Sequence, residues 1–191
     1  GTCHVFQEQL FDQSPHKQPW EDMGLATCLT CHSNHRVEPT SDARVGTGEE
    51  AFCVTCHAEG DAGWDSAGRI HAALTRLEGE LQQAAAILDR AERAGMEVAE
   101  ARVIQGSAQE NLIKARVDVH TFDAARVEET TAQGHELARQ AQQAGEEALA
   151  ELAFRRKGLG LSLVAIAFVV LSLWLLIRHL ERGQGRKESG A

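Results

Sequence analysis

The chain has 191 residues and a formal net charge of −9, from 28 Asp and Glu against 19 Lys and Arg. That acidity argues against the basic footprint of a nucleic-acid-binding protein, so no nucleic-acid partner is expected. Aromatic residues make up only 5% and tyrosine is absent, so an ordinary packed core would rest on aliphatic side chains.

Residues 1–65 hold all five Cys and all three Pro, with turn-like stretches such as Pro39-Thr40-Ser41-Asp42 and Gly46-Thr47-Gly48. No run here is long or periodic enough for a strand or a long helix. A segment this short cannot bury a sizeable apolar core by itself, so a loop-rich fold with some other filling is expected. The odd Cys count fits a closed disulfide framework poorly.

From Ser66 the composition shifts to Ala, Glu, Gln, Arg and Leu, which opens a helical segment over 66–156. Ile70, Leu74, Leu77, Leu81, Ala84, Leu88 and Ala91 recur at alternating spacings of four and three, a heptad stripe on one helix face. Gly95 followed by Met96 predicts a helix C-terminus with the glycine in the left-handed conformation. A second helix is predicted from Glu97 to His120, and a third after Asp123 as N-cap. An unbroken helix over 66–121 would span roughly 84 Å against about 50 Å for the return segment. Three helices of similar length, packed as a bundle or coiled-coil stalk, fit better. Their stripes can pair within the chain or between chains, which leaves an oligomer through the helices open.

Gly158 to Ile177 is 20 residues without a charge. At ~1.5 Å per residue it spans about 30 Å, the thickness of a bilayer's hydrocarbon core. Arg155, Arg156 and Lys157 precede it, Arg178 follows it, and Trp174 lies near one end, where an interfacial aromatic belongs. Residues 157–179 are therefore predicted as one transmembrane helix and 180–191 as a short polar tail. The expected fold class is mostly α: a loop-rich N-terminal segment, a long-helix bundle or stalk, and one C-terminal transmembrane helix.

The chemistry lies in the Cys-His spacing. Two complete Cys-x-x-Cys-His motifs are present, Cys28-Leu29-Thr30-Cys31-His32 and Cys53-Val54-Thr55-Cys56-His57. Residues three apart on a helical turn share a face. Both thiols can then add to the vinyl groups of one haem, while the next imidazole swings under the iron as an axial ligand. This pentapeptide is the attachment signature of haem c. The competing reading is zinc held by Cys28, Cys31, Cys53 and Cys56, whose spacing lies slightly beyond that of a zinc ribbon. A ribbon gives no reason for His after both pairs, and it leaves Cys3-His4 unexplained. With haem, Gly1-Thr2-Cys3-His4 reads as the tail of a third motif whose first Cys would precede Gly1. The expectation is two complete haem c sites (Cys28, Cys31, His32 and Cys53, Cys56, His57) and one truncated site (Cys3, His4), in an N-terminally truncated fragment.

In these motifs, and in the extra His of Cys31-His32-Ser33-Asn34-His35, the chain resembles small multihaem c-type cytochromes of the cytochrome c3/c7 kind, in the variant with doubled motifs. His16 upstream of Cys28 also fits. The resemblance covers about residues 1–60. It implies electron transfer through closely packed haems with two His ligands each, and it says nothing firm about residues 66–191. By that resemblance, His35 and His16 are distal ligand candidates. His71 and His120 are further candidates, because in a three-helix arrangement both lie at the haem end. Met23 is expected to pack as an apolar residue rather than ligate iron, and His135 and His179 read as surface or interfacial residues.

The near balance of positive charge around the apolar run leans only slightly toward a cytoplasmic tail. The resemblance places the haem segment on the periplasmic or exterior side, since haem c is attached outside the cytoplasm. The implied partners are unidentified redox proteins and the membrane. Three functions are expected in descending order: a membrane-anchored electron-transfer cytochrome rather than an enzyme, a haem subunit of a multihaem reductase or quinol dehydrogenase complex, and a haem-based transmembrane sensor.

Overall fold

The computed structural model describes residues 3–36 and 39–188. Side chains from 180 onward, with the tail charges Arg182, Arg186 and Lys187, lie outside the described residues, as do Gly1 and Thr2. Of the described residues 77% are helical, and none forms a strand. The chain divides into two compact units, Gly1–Glu146 and Glu147–Ala191.

The first unit opens with short helices that the sequence pattern did not announce: α1 (Val5–Asp12), α2 (Lys17–Asp22) and α3 (Leu29–His32). Two single 3-10 turns follow, at Asp42–Arg44 and Cys53–Thr55. Leu10, Phe11 and Trp20 are buried, so the N-terminal segment owns a small aromatic cluster. Phe11 packs edge-on against Trp20 and against Phe122, with ring centroids 6.0 and 6.1 Å apart.

Three helices make the larger core. The first, α4 (Ala62–Arg93), starts four residues before Ser66 because the Asp61 side chain accepts from Trp64 N–H at 2.7 Å, an N-cap. Its buried stripe is the predicted heptad set, extended back to Ala67. The helix stops where predicted. Gly95 has φ +81°, its N–H donates to Glu92 O at 2.9 Å, and Met96 N–H donates to Ala91 O at 3.0 Å. Those two bonds form a Schellman cap, which uses carbonyls that would otherwise be orphaned. Next come α5 (Ala99–Asp118), a 3-10 turn at Val119–Thr121, and α6 (Ala124–Glu188). Asp123 caps α6 through Ala125 N–H at 2.9 Å, as expected.

The expectation of three helices of similar length does not hold: they run to 32, 20 and 65 residues. The third predicted helix, the predicted span and the backbone of the tail as far as Glu188 belong to one element. No proline or capping glycine interrupts that stretch, so nothing local ends the helix.

Leu74, Leu77 and Leu81 of α4, Ala108, Leu112 and Ala115 of α5, and Val127 and Ala138 of α6 form one apolar cluster. The register is read from the glycines of α6. A Cβ on Gly134 would lie 2.6 Å from Leu77 Cδ2, and one on Gly145 would lie 2.7 Å from Ile87 Cγ2. Advancing along α6 thus advances along α4, so the two helices run parallel and α5 returns between them. Polar bonds reinforce this. Arg69 of α4 makes a two-pronged bond to Glu128 of α6, and His135 Nδ1 lies 2.7 Å from Glu80 Oε2. His135 is therefore a half-buried interhelical contact.

In the second unit, α6 carries an 18-residue window of mean hydropathy 2.7, none of it buried, long and apolar enough to cross a membrane. Its two serines bond back to their own helix, Ser162 to Gly158 O at 3.0 Å and Ser172 to Phe168 O at 2.8 Å. The span therefore exposes no unpaired backbone-competing hydroxyl. The Arg178 guanidinium lies 4.5 Å from the centre of the Trp174 ring.

Candidate functional site

Both Cys-x-x-Cys-His motifs fold into a single helical turn, one α and one 3-10. In each, the histidine N–H closes the turn by donating to the carbonyl of the first cysteine, His32 to Cys28 and His57 to Cys53, both at 3.0 Å. This brings the two thiols of a motif onto one face with the imidazole next to them. Threonines at matching motif positions brace the turns: Thr30 donates to Ala26 O at 2.6 Å, and Thr55 to Phe52 O. Arg44 ties the first motif to the 3-10 turn at Asp42–Arg44 by donating to Cys31 O at 2.9 Å. All five cysteines are free thiols.

Each motif histidine has a second imidazole near it. His32 and His120 have ring centroids 6.2 Å apart with planes 19° from parallel. His16 and His57 are 5.9 Å apart with planes at 88°. Metal–imidazole bonds of about 2 Å, with each ring centre about 1 Å behind its nitrogen, set two axial imidazoles roughly 6 Å apart across one ion. Both pairs meet that separation.

Hydrogen bonds leave ligating nitrogens available. His120 Nδ1 lies 2.9 Å from Val117 O, which can only accept, so Nδ1 carries the proton and Nε2 keeps its lone pair. His57 Nδ1 lies 3.2 Å from Asp61 Oδ1, the outer partner that commonly orients a metal-bound histidine. The Asp61 carboxyl sits below its ordinary range, held there by the N–H groups of Trp64 and Ala58 and then by His57. His16 Nδ1 is buried without a hydrogen-bond partner among the described residues.

Burial, then the neighbouring His57, lowers the pKa of His16. Burial, then His120, Arg44 and His4, lowers that of His32. Both shifts favour the neutral imidazole that a metal binds. The Cys31 thiol is pushed up to about 11, first by burial and next by Cys53 of the other motif.

Space around the second motif is strict. A Cβ on Gly63, in the first turn of α4, would lie 2.1 Å from two atoms of the His57 ring, so only glycine lets the helix pass there. Apolar side chains stand exposed next to the motifs: Leu25 and Leu29 around Cys28, and Val5 and Phe6 after His4. Free thiol pairs, imidazoles at axial spacing, an orphaned imidazole nitrogen and bare apolar surface together fit haem c.

The other predicted residues form no such pair. Cys3 and His4 are exposed near the first motif, and His35 is exposed beyond Ser33, which has φ +63°. His71 makes no ring contact with a motif histidine among the described residues; its Nδ1 lies 3.0 Å from Asp42 O, and its side chain packs so closely on Gly46 that a Cβ there would lie 2.8 Å from His71 Cβ. Met23 is 59% exposed, so the packing role expected for it does not hold.

Among the described residues, no group of three or more His, Cys, Asp or Glu side chains gathers around one point as a single-ion cage would require.

Sequence reasoning missed the residues that place His120 and His16. Asp118 is buried and accepts from Arg126 Nε at 2.9 Å and Thr130 Oγ1 at 2.8 Å. Phe122 takes a left-handed backbone (φ +55°) and lays its ring 4.0 Å from that of His16. Asp42 forms a two-pronged ion pair with Arg116, docking the N-terminal segment on α5. A buried Asp interrupting an apolar stripe was the only signal available in the sequence.

No protein-family model, no curated protein and no solved structure matches the chain. The fold and site define a helical protein with one apolar helix of membrane-crossing length and two Cys-x-x-Cys-His turns, each facing a second histidine.

Proposed function

We propose that this protein is a membrane-anchored multihaem c-type cytochrome that transfers electrons. The observation that carries the reading is the placement of a second imidazole near axial distance from each motif histidine. Cys28 and Cys31 would attach one haem and Cys53 and Cys56 another. When bound, haem supplies one-electron iron chemistry. The chain's own part would be to fix each group covalently, to hold imidazoles against it, and to keep the sixth position filled. A filled sixth position leaves no site for a substrate, which favours a carrier over a reductase or a gas sensor. Two histidine ligands, with no methionine, point to a low reduction potential.

The apolar stretch of α6 would anchor the chain, with the haem segment on the periplasmic or exterior side and the tail in the cytoplasm. An acidic chain, made more so by haem propionates, suits redox partners with basic docking surfaces.

The test is spectroscopic. The full chain, matured in a host that attaches haem c, is expected to be low-spin when oxidised and when reduced. Carbon monoxide added to the ferrous protein should leave the spectrum unchanged. A high-spin ferric signal, or carbon monoxide binding without denaturation, would sink the carrier reading.

A further inference from the structure

We propose that the two sites are completed from outside their own motifs, His120 at the α5–α6 corner serving the iron of His32 and His16 serving the iron of His57. This deepens the cytochrome reading and rests on it. It also makes the helical unit a ligand donor, since His120 lies well beyond the haem-motif segment.

The corner is built for this. Asp118 ends α5, and Arg126 and Thr130 reach back to its carboxylate from α6. Thr121 Oγ1 donates to Asp118 O at 2.7 Å, closing the turn around His120. Phe122 then adopts a positive φ, a strained state for a bulky residue, which persists only where its surroundings fix it. Those surroundings are visible. Ser66 Oγ donates to Phe122 O at 3.2 Å, and the ring is flanked by Phe11 and His16. One corner therefore sets both distal histidines, His120 within its own turn and His16 through the Phe122 ring.

The competing candidates are placed otherwise. Neither His71, which packs on Gly46, nor the exposed His35 makes a ring contact with a motif histidine among the described residues.

The geometry also makes the two centres unlike. Imidazole planes set the directions of π-donation into the iron d-orbitals. Near-parallel planes, as for His32 and His120 at 19°, donate along one direction and split the two π-symmetry orbitals, giving a rhombic low-spin ferric spectrum. Near-perpendicular planes, as for His16 and His57 at 88°, donate along both and leave those orbitals close in energy. The spectrum then has one large g-value and broad remaining features.

The experiment is low-temperature electron paramagnetic resonance on the oxidised, haem-loaded full chain. Wild type is expected to show both signal types. His120→Ala should lose the rhombic signal, gain a high-spin one, and recover low spin on adding imidazole, with the large-g signal untouched. His16→Ala should do the converse. His120→Met and His16→Met, which keep a ligand in place if the alanine variants fold poorly, should each raise the potential of one centre only. Both signals surviving in His120→Ala or His16→Ala, or the loss appearing instead in His71→Ala or His35→Ala, would overturn the assignment while leaving the cytochrome reading intact. A chain that carries no covalent haem would overturn both.

Discussion

Replacing Asp118 with alanine removes a carboxylate that is 2% exposed and that joins α5 to α6. Two bonds go with it, from Arg126 Nε at 2.9 Å and from Thr130 Oγ1 at 2.8 Å. Hydrogen bonds to a charged group contribute about 1.5–3 kcal/mol, and a buried hydroxyl left without its acceptor adds to the loss. Arg126 offsets part of this, because its side chain is 46% exposed and water can solvate the guanidinium. The cost therefore stays below the ~3–5 kcal/mol of breaking a fully buried pair, and about 2–3 kcal/mol is expected. For a chain of this size that lowers Tm by roughly 5–10 °C. Thermal unfolding of the full chain in detergent, followed by far-UV circular dichroism, reads it. Asp118→Asn keeps an acceptor for Thr130 and should recover part of the loss. A Tm for Asp118→Ala within about 1 °C of wild type would refute the view that this carboxylate holds the corner.

The glycines of the helical unit should split by position. Gly106→Ala, where a Cβ meets nothing within 4 Å, should stabilise α5 by up to about 1 kcal/mol, whereas Gly134→Leu must displace Leu77 and cost about 1–3 kcal/mol or more. Equal effects in the same thermal scans would contradict the close α4–α6 contact. Acid sensitivity follows from Asp89 and Glu128, held below their ordinary 3.8 and 4.5 by hydrogen bonds from Arg102 and Arg69 respectively. The folded state then binds fewer protons than the unfolded chain, so this stability is complete above those values and falls as pH drops through the lowered ones. Asp89→Asn combined with Glu128→Gln should flatten the acid limb of Tm against pH, and an unchanged limb would show that the pairs contribute nothing. In the apolar stretch, Val164→Asp with Leu171→Asp costs about 2.5–3.5 kcal/mol per charge near a bilayer centre. Membrane retention after alkaline extraction should be lost, and full retention would count against an anchor there.

Much of the helical unit was legible because its signals are local. The stripe from Ile70 to Ala91 buries as a stripe must, Gly95 and Met96 complete a cap whose bonds span six residues, and Asp123 caps its own helix. The motif turns were legible for the same reason, since Cys-x-x-Cys-His closes on itself. Partners distant in sequence were not. Nothing near His120 announces that it will lie opposite His32, because that placement depends on Asp118, on the left-handed Phe122, and on Asp42 gripping Arg116. Helices α1 and α2 escaped notice because each is too short to show a period, and it is the aromatic contact with Phe122 that holds them. The running together of the third helix and the apolar stretch was hidden by the change in composition, which alters the solvent a helix suits without ending it.

The most direct test of the central claim is the haem content of the full chain after maturation in a host that attaches haem c. A denaturing gel stained for haem, with a pyridine haemochrome assay on the same sample, gives both the covalent bond and the count. Haem should survive denaturation with at least one group for each complete motif. Cys28→Ala with Cys31→Ala, and Cys53→Ala with Cys56→Ala, should each remove one. Loss of all haem on denaturation, or stoichiometric zinc in its place, would contradict the account.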